Sequence, residues 1–495
     1  MTMKFFNKTI KVTAFAVAAL FSSCDHFEEM NVNPNLPSQA ATSGLLSNAQ
    51  IAITGRFVGS MGHLGSQYTQ QVSQVEYPAP SNYDDSGQSS FASVYSGALI
   101  DLKEIIKLCN DPDKAEKVVV YGNLENQKAV AEILSVWAFQ NVTDVWGDVP
   151  YSEALKGDEG LFLSKYDTQE EIYDDLIARL TAASAAIKVD GTPKLEGDLF
   201  FGSEESDVQM MMWKKFANSL RLRMAMRLSE VNSSKADALI NDADFDEILS
   251  SSDEVVALYH LSTEAEANPI YYTNVIAAGG DNIAISNIMV DHLTSLNDPR
   301  LASYATPSDA ASEYIGVPYG MANDVALSIS QDDFSLIGGK FADQDAPSIV
   351  MTASEVLFIK AEAIARGYIS GGATEAEKAY NDAITTSMEF NGVATDDITT
   401  YLAQTSVAYD NANWRAMIGE QKWLALYMQG VEAWSEWRRL DYPTLTPSAN
   451  GIINQIPRRR AYASDEYSTN TANVEAAATR ITGGDFYTST VWWDK

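Results

Sequence analysis

Two stretches of the sequence combine tyrosine with asparagine and aspartate outside any continuous helical pattern. They are 75–88, VEYPAPSNYDDSGQ, and 268–274, NPIYYTN. A flat, rigid aromatic ring suits the C–H face of a sugar, and amide or carboxylate groups hydrogen-bond its hydroxyls. The sequence therefore predicts an exposed ligand-binding surface on two loops, with these candidate residues: Tyr77, Asn82, Tyr83, Asp84, Tyr271, Tyr272 and Asn274. The alternative is that these tyrosines only cover the protein body.

The usual signatures of catalysis and metal binding are missing from the sequence. The histidines, at positions 26, 63, 260 and 292, are scattered, with no His-Glu-x-x-His pattern and no cysteine pair. No nucleophile elbow, Walker loop or dinucleotide fingerprint is found. The stretch 242–247, DADFDE, has Glu247 where a calcium loop requires glycine. We therefore predict no catalytic residue, no metal site and no cofactor.

Cys24 has the sequence context of a lipidated residue. It follows three lysines and the apolar run 12–21, VTAFAVAALF, which is shorter than the roughly 20 residues needed to span a bilayer. A basic start and a short apolar centre are typical of a secretory signal peptide. Ser22 and Ser23 before Cys24 resemble a bacterial lipobox, in which the cysteine carries the lipid, although Phe21 stands where leucine is usual. We therefore predict a signal peptide over 1–23 and a lipid on Cys24.

The other cysteine is not a convincing disulfide partner. Cys109 lies in 101–111, DLKEIIKLCND, with Leu102 and Ile105 at helical spacing, so it is predicted to be a small buried side chain. A disulfide to Cys24 is therefore disfavoured. The remaining alternative to lipidation is an ordinary signal peptide that contains a cysteine.

The chain is strongly acidic. Its formal net charge is −33, and removal of 1–23 with its three lysines leaves −36. A nucleic-acid partner and a polybasic membrane surface are both disfavoured, because each needs a basic face. After Cys24 the sequence DHFEEMNVNPNLPSQ has no continuous apolar pattern, so we predict a lipidated tether over 24–40. Its first residues resemble the acidic tag of surface-exposed lipoproteins of the Bacteroidetes type.

The elements that must position the loops are predicted to be mostly α-helical. Thr168 and Glu171 have capping-box spacing, and an apolar stripe follows them, which predicts a helix over 168–187. Long loops rich in Tyr, Asn, Asp and Gly interrupt the helices, and recognition residues are common on such loops. These loops are expected at 74–91, 262–282 and 312–345.

A helical hairpin is predicted in the second half of the chain. Residues 353–368 and 375–390 have apolar stripes in which Ala361 and Ala383 allow two backbones to approach. The pair is about 34 residues long, as in a tetratricopeptide-like unit. Two further stretches, 125–140 and 419–440, have a similar pattern. Four aromatic residues in the second stretch recur at helical spacing and are predicted to be core: Trp423, Tyr427, Trp434 and Trp437.

Four sequence blocks are more specific than composition. They are DVWGDVPYSEAL at 144–155, WKKFANSLRLRMAMRLS at 213–229, QKWLALYMQGVEAWSEWRRLDYPTL at 421–445 and IPRRRAYASDEYSTNTANVEAA at 456–477. These blocks and the closing VWWDK resemble the SusD/RagB family of outer-membrane nutrient-binding lipoproteins, especially its SusD-like branch. The resemblance covers nearly the whole mature chain, with Ala463 where the family commonly has proline.

This resemblance implies a single SusD-like helical domain over 41–495 with tetratricopeptide-like helical hairpins and long irregular loops. It also implies a surface-exposed, lipid-anchored outer-membrane protein that is not an enzyme. Such a protein would bind a nutrient, commonly a glycan, and pass it to a SusC-like TonB-dependent transporter. The alternatives are a helical-repeat scaffold that binds only protein and a lipid-anchored glycosidase. The sequence does not identify the nutrient, and a peptide is an alternative ligand to a glycan.

Overall fold

Helices form most of the chain in the computed structural model, which describes residues 40–84, 90–277 and 282–495. Cys24, the predicted signal peptide and nearly all of the predicted tether lie outside the described residues. In the first half the helices are α1 (Thr42–Thr54), α2 (Met61–Tyr68), α3 (Ala92–Val94), α4 (Ile100–Asn110), α5 (Pro112–Val118), α6 (Leu124–Trp146), α7 (Gln169–Ala186), α8 (Ser206–Arg227) and α9 (Ser233–Asn241).

The second half continues the same pattern, with shorter helices in its loops. Its helices are α10 (Pro269–Tyr271), α11 (Asn287–Ser295), α12 (Leu301–Tyr304), α13 (Asn323–Ala326), α14 (Gly339–Ala342), α15 (Ala353–Ala365), α16 (Gly372–Phe390), α17 (Thr395–Leu402), α18 (Trp414–Ala425), α19 (Gly430–Leu440), α20 (Ser464–Thr469) and α21 (Thr471–Arg480). Residues Thr42–Lys495 form one compact unit. None of the described helices is long and apolar enough to cross a membrane.

The strands in the described residues are short and pair only in twos, each pair antiparallel. Two of the three pairs join stretches that are far apart in sequence. The pairs are β1 (Val72–Gln74) with β5 (Ile283–Ile285), β2 (Val149–Pro150) with β3 (Tyr166–Asp167), and β4 (Val255–Leu258) with β6 (Ser348–Thr352).

Local capping signals place the helix starts. Before α7, the Thr168 hydroxyl accepts a hydrogen bond from the Glu171 amide at 3.3 Å, and the Glu171 carboxylate accepts one from the Thr168 amide at 3.1 Å. The predicted capping box is therefore confirmed. Asn123 caps α6 in a similar way by accepting from the amides of Glu125 and Asn126. These bonds satisfy N–H groups that have no partner within the helix.

Helices α15 and α16 form the predicted hairpin. Ala361 and Ala383 are fully buried in the same apolar cluster. The turn uses Gly371 and Gly372, whose φ angles of 143° and 65° disfavour any residue with a Cβ. The mostly helical fold and this hairpin are confirmed.

The predicted unit at 419–440 consists of two helices, α18 and α19, separated by four residues. The first residue of α19, Gly430, lies directly against α2. A Cβ placed on Gly430 would lie 1.8 Å from the Gly62 carbonyl oxygen, so only glycine fits this contact. The tryptophans and the tyrosine of this stretch are buried, as predicted: Trp423, Tyr427, Trp434 and Trp437.

A set of buried carboxylates and cations that pair with one another joins α6, α8, α15, α18 and α19. We call it the buried charge cluster, with these members: Asp144, Arg223, Arg227, Glu355, Glu362, Lys422, Glu432, Glu436 and Arg439. Arg439 lies in the last turn of α19 and is buried, because Glu362 and Glu436 pair with it at 2.5 and 2.7 Å.

Cys109 is buried, as predicted. Its thiol lies 3.7 Å from the Gln127 side-chain oxygen. Burial raises the pKa of this thiol to about 11. The thiol therefore acts as a small core side chain and not as a reactive group.

Candidate functional site

The two loops that sequence reasoning selected meet beside the β1–β5 pair. The Val75 amide donates to the Asn282 carbonyl oxygen at 2.8 Å, and the Glu76 amide donates to the Asn282 side-chain oxygen at 3.1 Å. From the other loop, the Asn274 amide group donates to the Ile283 carbonyl oxygen at 2.8 Å and accepts from the Ile283 amide at 3.0 Å. Residues 282 and 283 therefore hold both loops.

Two of the predicted tyrosines, one on each loop, are exposed to solvent. Tyr77 is 62 % exposed and Tyr272 is 49 % exposed. We call these two residues the tyrosine face. Tyr271 beside them is half-buried, and Asp84 is exposed. The positions of these four residues allow contact with a ligand from solvent.

Tyr83 is fully buried, which contradicts the prediction that it belongs to an exposed surface. Its ring packs edge-on against Tyr68 at 6.1 Å, and its hydroxyl accepts a hydrogen bond from the Ser448 amide at 2.9 Å. Burial is the largest cause of its raised pKa. Tyr83 has a left-handed φ of 66° at the end of the turn Pro80–Asn82, and its burial is due to its contacts with Tyr68 and Ser448, which come from other segments of the chain.

Asn82 and Asn274 are also buried, and their side chains connect loops instead of facing solvent. Asn82 donates to the Met321 carbonyl oxygen at 2.7 Å and accepts from the Ser448 hydroxyl at 2.6 Å. Both asparagines therefore position the loops. Sequence alone does not show whether a loop asparagine holds the loop or binds a ligand, because the same amide group can do either.

A groove that the sequence did not indicate lies next to Asn82. It has a volume of about 310 Å³, and Tyr319, Pro318, Leu445 and Ser448 are among its lining residues. Tyr319 donates from its hydroxyl to the Gln67 carbonyl oxygen at 2.7 Å. Tyr319 lies within the loop predicted over 312–345, but the sequence did not single it out as a residue that lines a groove.

The loop that contains Tyr77 has two exposed acidic residues. Glu76 and Asp84 flank Tyr77 and Tyr83 in the sequence, and both are exposed. A polyanion would be repelled at this surface, whereas a neutral ligand would not. In the described ranges, no three His, Cys, Asp or Glu side chains are grouped to hold a metal ion.

The described chain is a mostly helical body with long loops joined beside the β1–β5 pair. Comparison with known families is more specific: the model of the SusD-like family described as "Starch-binding associating with outer membrane" matches residues 34–463. The chain therefore belongs to this SusD-like family, and the predicted resemblance is confirmed. No curated protein matches the sequence.

Solved structures agree with this family. A chitin-binding protein is 28% identical, with a TM-score of 0.75 over 92% of this chain and 99% of that chain. A SusD homologue from Bacteroides uniformis is 24% identical, with a TM-score of 0.77 over 92% and 100% of the two chains. A chitin-binding SusD homologue from Flavobacterium johnsoniae is 23% identical, with a TM-score of 0.74 over 92% and 98%. The last two support the fold alone.

Proposed function

We propose that the chain is a cell-surface lipoprotein that binds a neutral oligosaccharide and passes it to a SusC-like TonB-dependent transporter. The observation that carries this proposal is membership of the SusD-like family over residues 34–463. The 28% identity with a chitin-binding protein supports chitin oligosaccharides as the first ligands to test.

The proposed ligand surface is the tyrosine face, with Tyr271 and Asp84 at its side. Tyr77 and Tyr272 offer flat faces, and their loops are tied at residues 282 and 283, so little entropy is lost when a ligand binds. Asn82, Tyr83 and Asn274 keep the two loops in place. A neutral ligand suits this surface because the protein has a net charge of −33.

The proposed anchor is a lipid on Cys24, after removal of the signal peptide 1–23. The tether 24–40 then joins the membrane to the helical domain 41–495. Fully extended, its 17 residues would reach about 60 Å, which leaves the domain free to sit on a partner in the membrane. Replacing Cys24 with Ala is expected to release the protein from the membrane. An unmodified residue 24 in membrane-extracted protein, found by mass spectrometry, would contradict the proposal.

Calorimetric titration with chitohexaose and maltohexaose tests ligand binding. Loss of each stacked ring is worth about 0.5–1.5 kcal/mol, so Tyr77→Ala and Tyr272→Ala should each weaken binding a few-fold to about tenfold. The double variant should lose most binding. Phe162→Ala is the matched control, because Phe162 is 80 % exposed on a different loop.

Unchanged affinity in the folded double variant would place the ligand surface elsewhere. Release of shorter sugars by the wild-type protein would favour the glycosidase alternative. For the transporter, chemical cross-linking on intact cells should recover a TonB-dependent outer-membrane protein with the wild type. Recovery of no such protein would favour the scaffold alternative.

A further inference from the structure

A second cleft lies on a part of the fold that the proposed ligand surface does not use. It is formed where α6 ends and α7 begins, together with the end of α21 and the closing residues 490–495. Its volume is about 250 Å³. We call it the C-terminal cleft. It is somewhat smaller than the roughly 300–1,000 Å³ of pockets for drug-sized ligands, so its size fits one small ring or one chain end.

Two tryptophans contribute to this cleft. Trp492 is partly exposed, and its ring lies 6.4 Å from that of Tyr173, which supports it. Trp146 is fully buried, with the Phe91 ring packed against it at 5.5 Å. Trp492 therefore supplies the ring on which a ligand can stack.

Most of the charged groups of the cleft are already paired. Arg480 donates from Nε to Asp148 Oδ2 at 2.6 Å and from Nη2 to the Tyr166 carbonyl oxygen at 3.0 Å. Arg459 pairs with Asp485 and donates to the Trp146 carbonyl oxygen at 2.8 Å. The other charged side chains that line the cleft, Glu170 and Lys495, have opposite signs. No strong excess of either charge remains, which disfavours a multiply charged ligand.

The polar groups that remain suit a polyol. The Arg480 guanidinium is held in place by the hydrogen bonds of Nε and Nη2, and its Nη1 has no hydrogen-bond partner among the described residues. Glu170 lines the cleft and is exposed, and the hydroxyls of Thr482 and Thr490 line it as well. A planar guanidinium and a carboxylate each bind neighbouring hydroxyl groups, while an indole face covers C–H groups.

We propose that the C-terminal cleft is a second saccharide site that takes one neutral sugar unit. This proposal takes its class of ligand, a saccharide, from the proposed function, but the C-terminal cleft is a separate surface with its own residues. In this arrangement Trp492 stacks on the sugar ring, and Arg480 and Glu170 bind its hydroxyls. A second site of this kind would hold the end of a long glycan while the tyrosine face holds another part.

Fluorine NMR on protein labelled with 5-fluorotryptophan tests this site directly. The chain has nine tryptophans, so Trp492 is assigned from the signal that disappears in Trp492→Phe. Titration with glucose and with N-acetylglucosamine at tens of millimolar should shift the signal of Trp492 along a saturating curve. Trp414, which does not line the cleft and packs against Arg366, supplies the control signal.

Variants separate this site from the proposed ligand surface. Glu170→Gln changes an exposed side chain, so the fold should be kept, and it should weaken the Trp492 response about three- to tenfold. The Tyr77→Ala, Tyr272→Ala double variant should leave the Trp492 response unchanged. No saturating shift of Trp492 with either sugar would overturn the inference, and so would loss of that shift in the double variant. Neither result decides whether the tyrosine face binds an oligosaccharide, which the calorimetric titration measures.

Discussion

Replacing Glu362 with Gln removes one negative charge from the centre of the buried charge cluster. Glu362 is fully buried. Its two oxygens accept from Arg439 at 2.5 Å each, and one of them also accepts from Arg366 Nε at 2.7 Å. In Glu362→Gln one oxygen becomes an NH₂ group that faces a guanidinium, so donor meets donor there, and Glu436 is the carboxylate that Arg439 keeps.

The magnitude follows from the pKa of Glu362. Burial alone would raise this pKa, but the charge of Arg439, its hydrogen bonds and the charge of Arg366 outweigh burial and lower it to about 2. A lowering of this size from an ordinary value near 4.5 corresponds to about 3 kcal/mol of stabilisation of the charged form. Removing one partner of a buried ion pair typically costs about 3–5 kcal/mol, so both arguments give the same scale.

The effect has a pH dependence with a defined sign. Because the pKa of Glu362 is lower in the folded than in the unfolded chain, its stabilisation is complete above about pH 4.5 and is lost as the pH falls towards about 2. Urea unfolding followed by circular dichroism at several pH values measures this. The free-energy difference between wild type and Glu362→Gln should be about 3–5 kcal/mol at pH 7 and should shrink as the pH falls.

Asp382→Asn is the matched control. Asp382 pairs with Lys378 at 2.7 Å on α16, but these side chains are 49 % and 67 % exposed. An exposed pair of this spacing is worth about 0.3–0.5 kcal/mol, so this variant should stay close to wild type. The reasoning fails if Glu362→Gln unfolds within about 1 kcal/mol of wild type at pH 7, or if its difference from wild type does not change with pH.

Three further measurements address packing and the free thiol. Ala361→Phe should destabilise the α15–α16 hairpin by about 1–3 kcal/mol, and an unchanged melting temperature would contradict the contact. Gly430→Ala should lower the urea midpoint of unfolding, because the added Cβ would lie 1.8 Å from the Gly62 carbonyl oxygen. Gly44→Ala should not lower it, because no atom lies within 4 Å of a Cβ at Gly44. Cys109, with its pKa raised by burial to about 11, should react with iodoacetamide at pH 8 only after unfolding, and rapid labelling of folded protein would show that the thiol is accessible.

Local patterns in the sequence determined the helices and much of the core. The Thr168–Glu171 capping box, the α15–α16 hairpin and the buried aromatic residues Trp423 and Trp434 were all predicted. Each depends on residues within one or two helical turns, where spacing fixes which side chains share a face. The family blocks at 213–229 and 421–445 identified the SusD-like family for the same reason, because they are continuous in the sequence.

Only the tertiary structure decided which loop residues face solvent. Tyr77 and Tyr83 lie six residues apart in the same tyrosine-rich loop, but the first is exposed and the second is buried against Tyr68 and Ser448. The partners of Tyr83 lie 15 and 365 residues away, so no local pattern indicates them. The same holds for Arg439 and Glu362, which form their ion pair across 77 positions. Burial depends on contacts between distant segments, and those contacts exist only after the chain has folded.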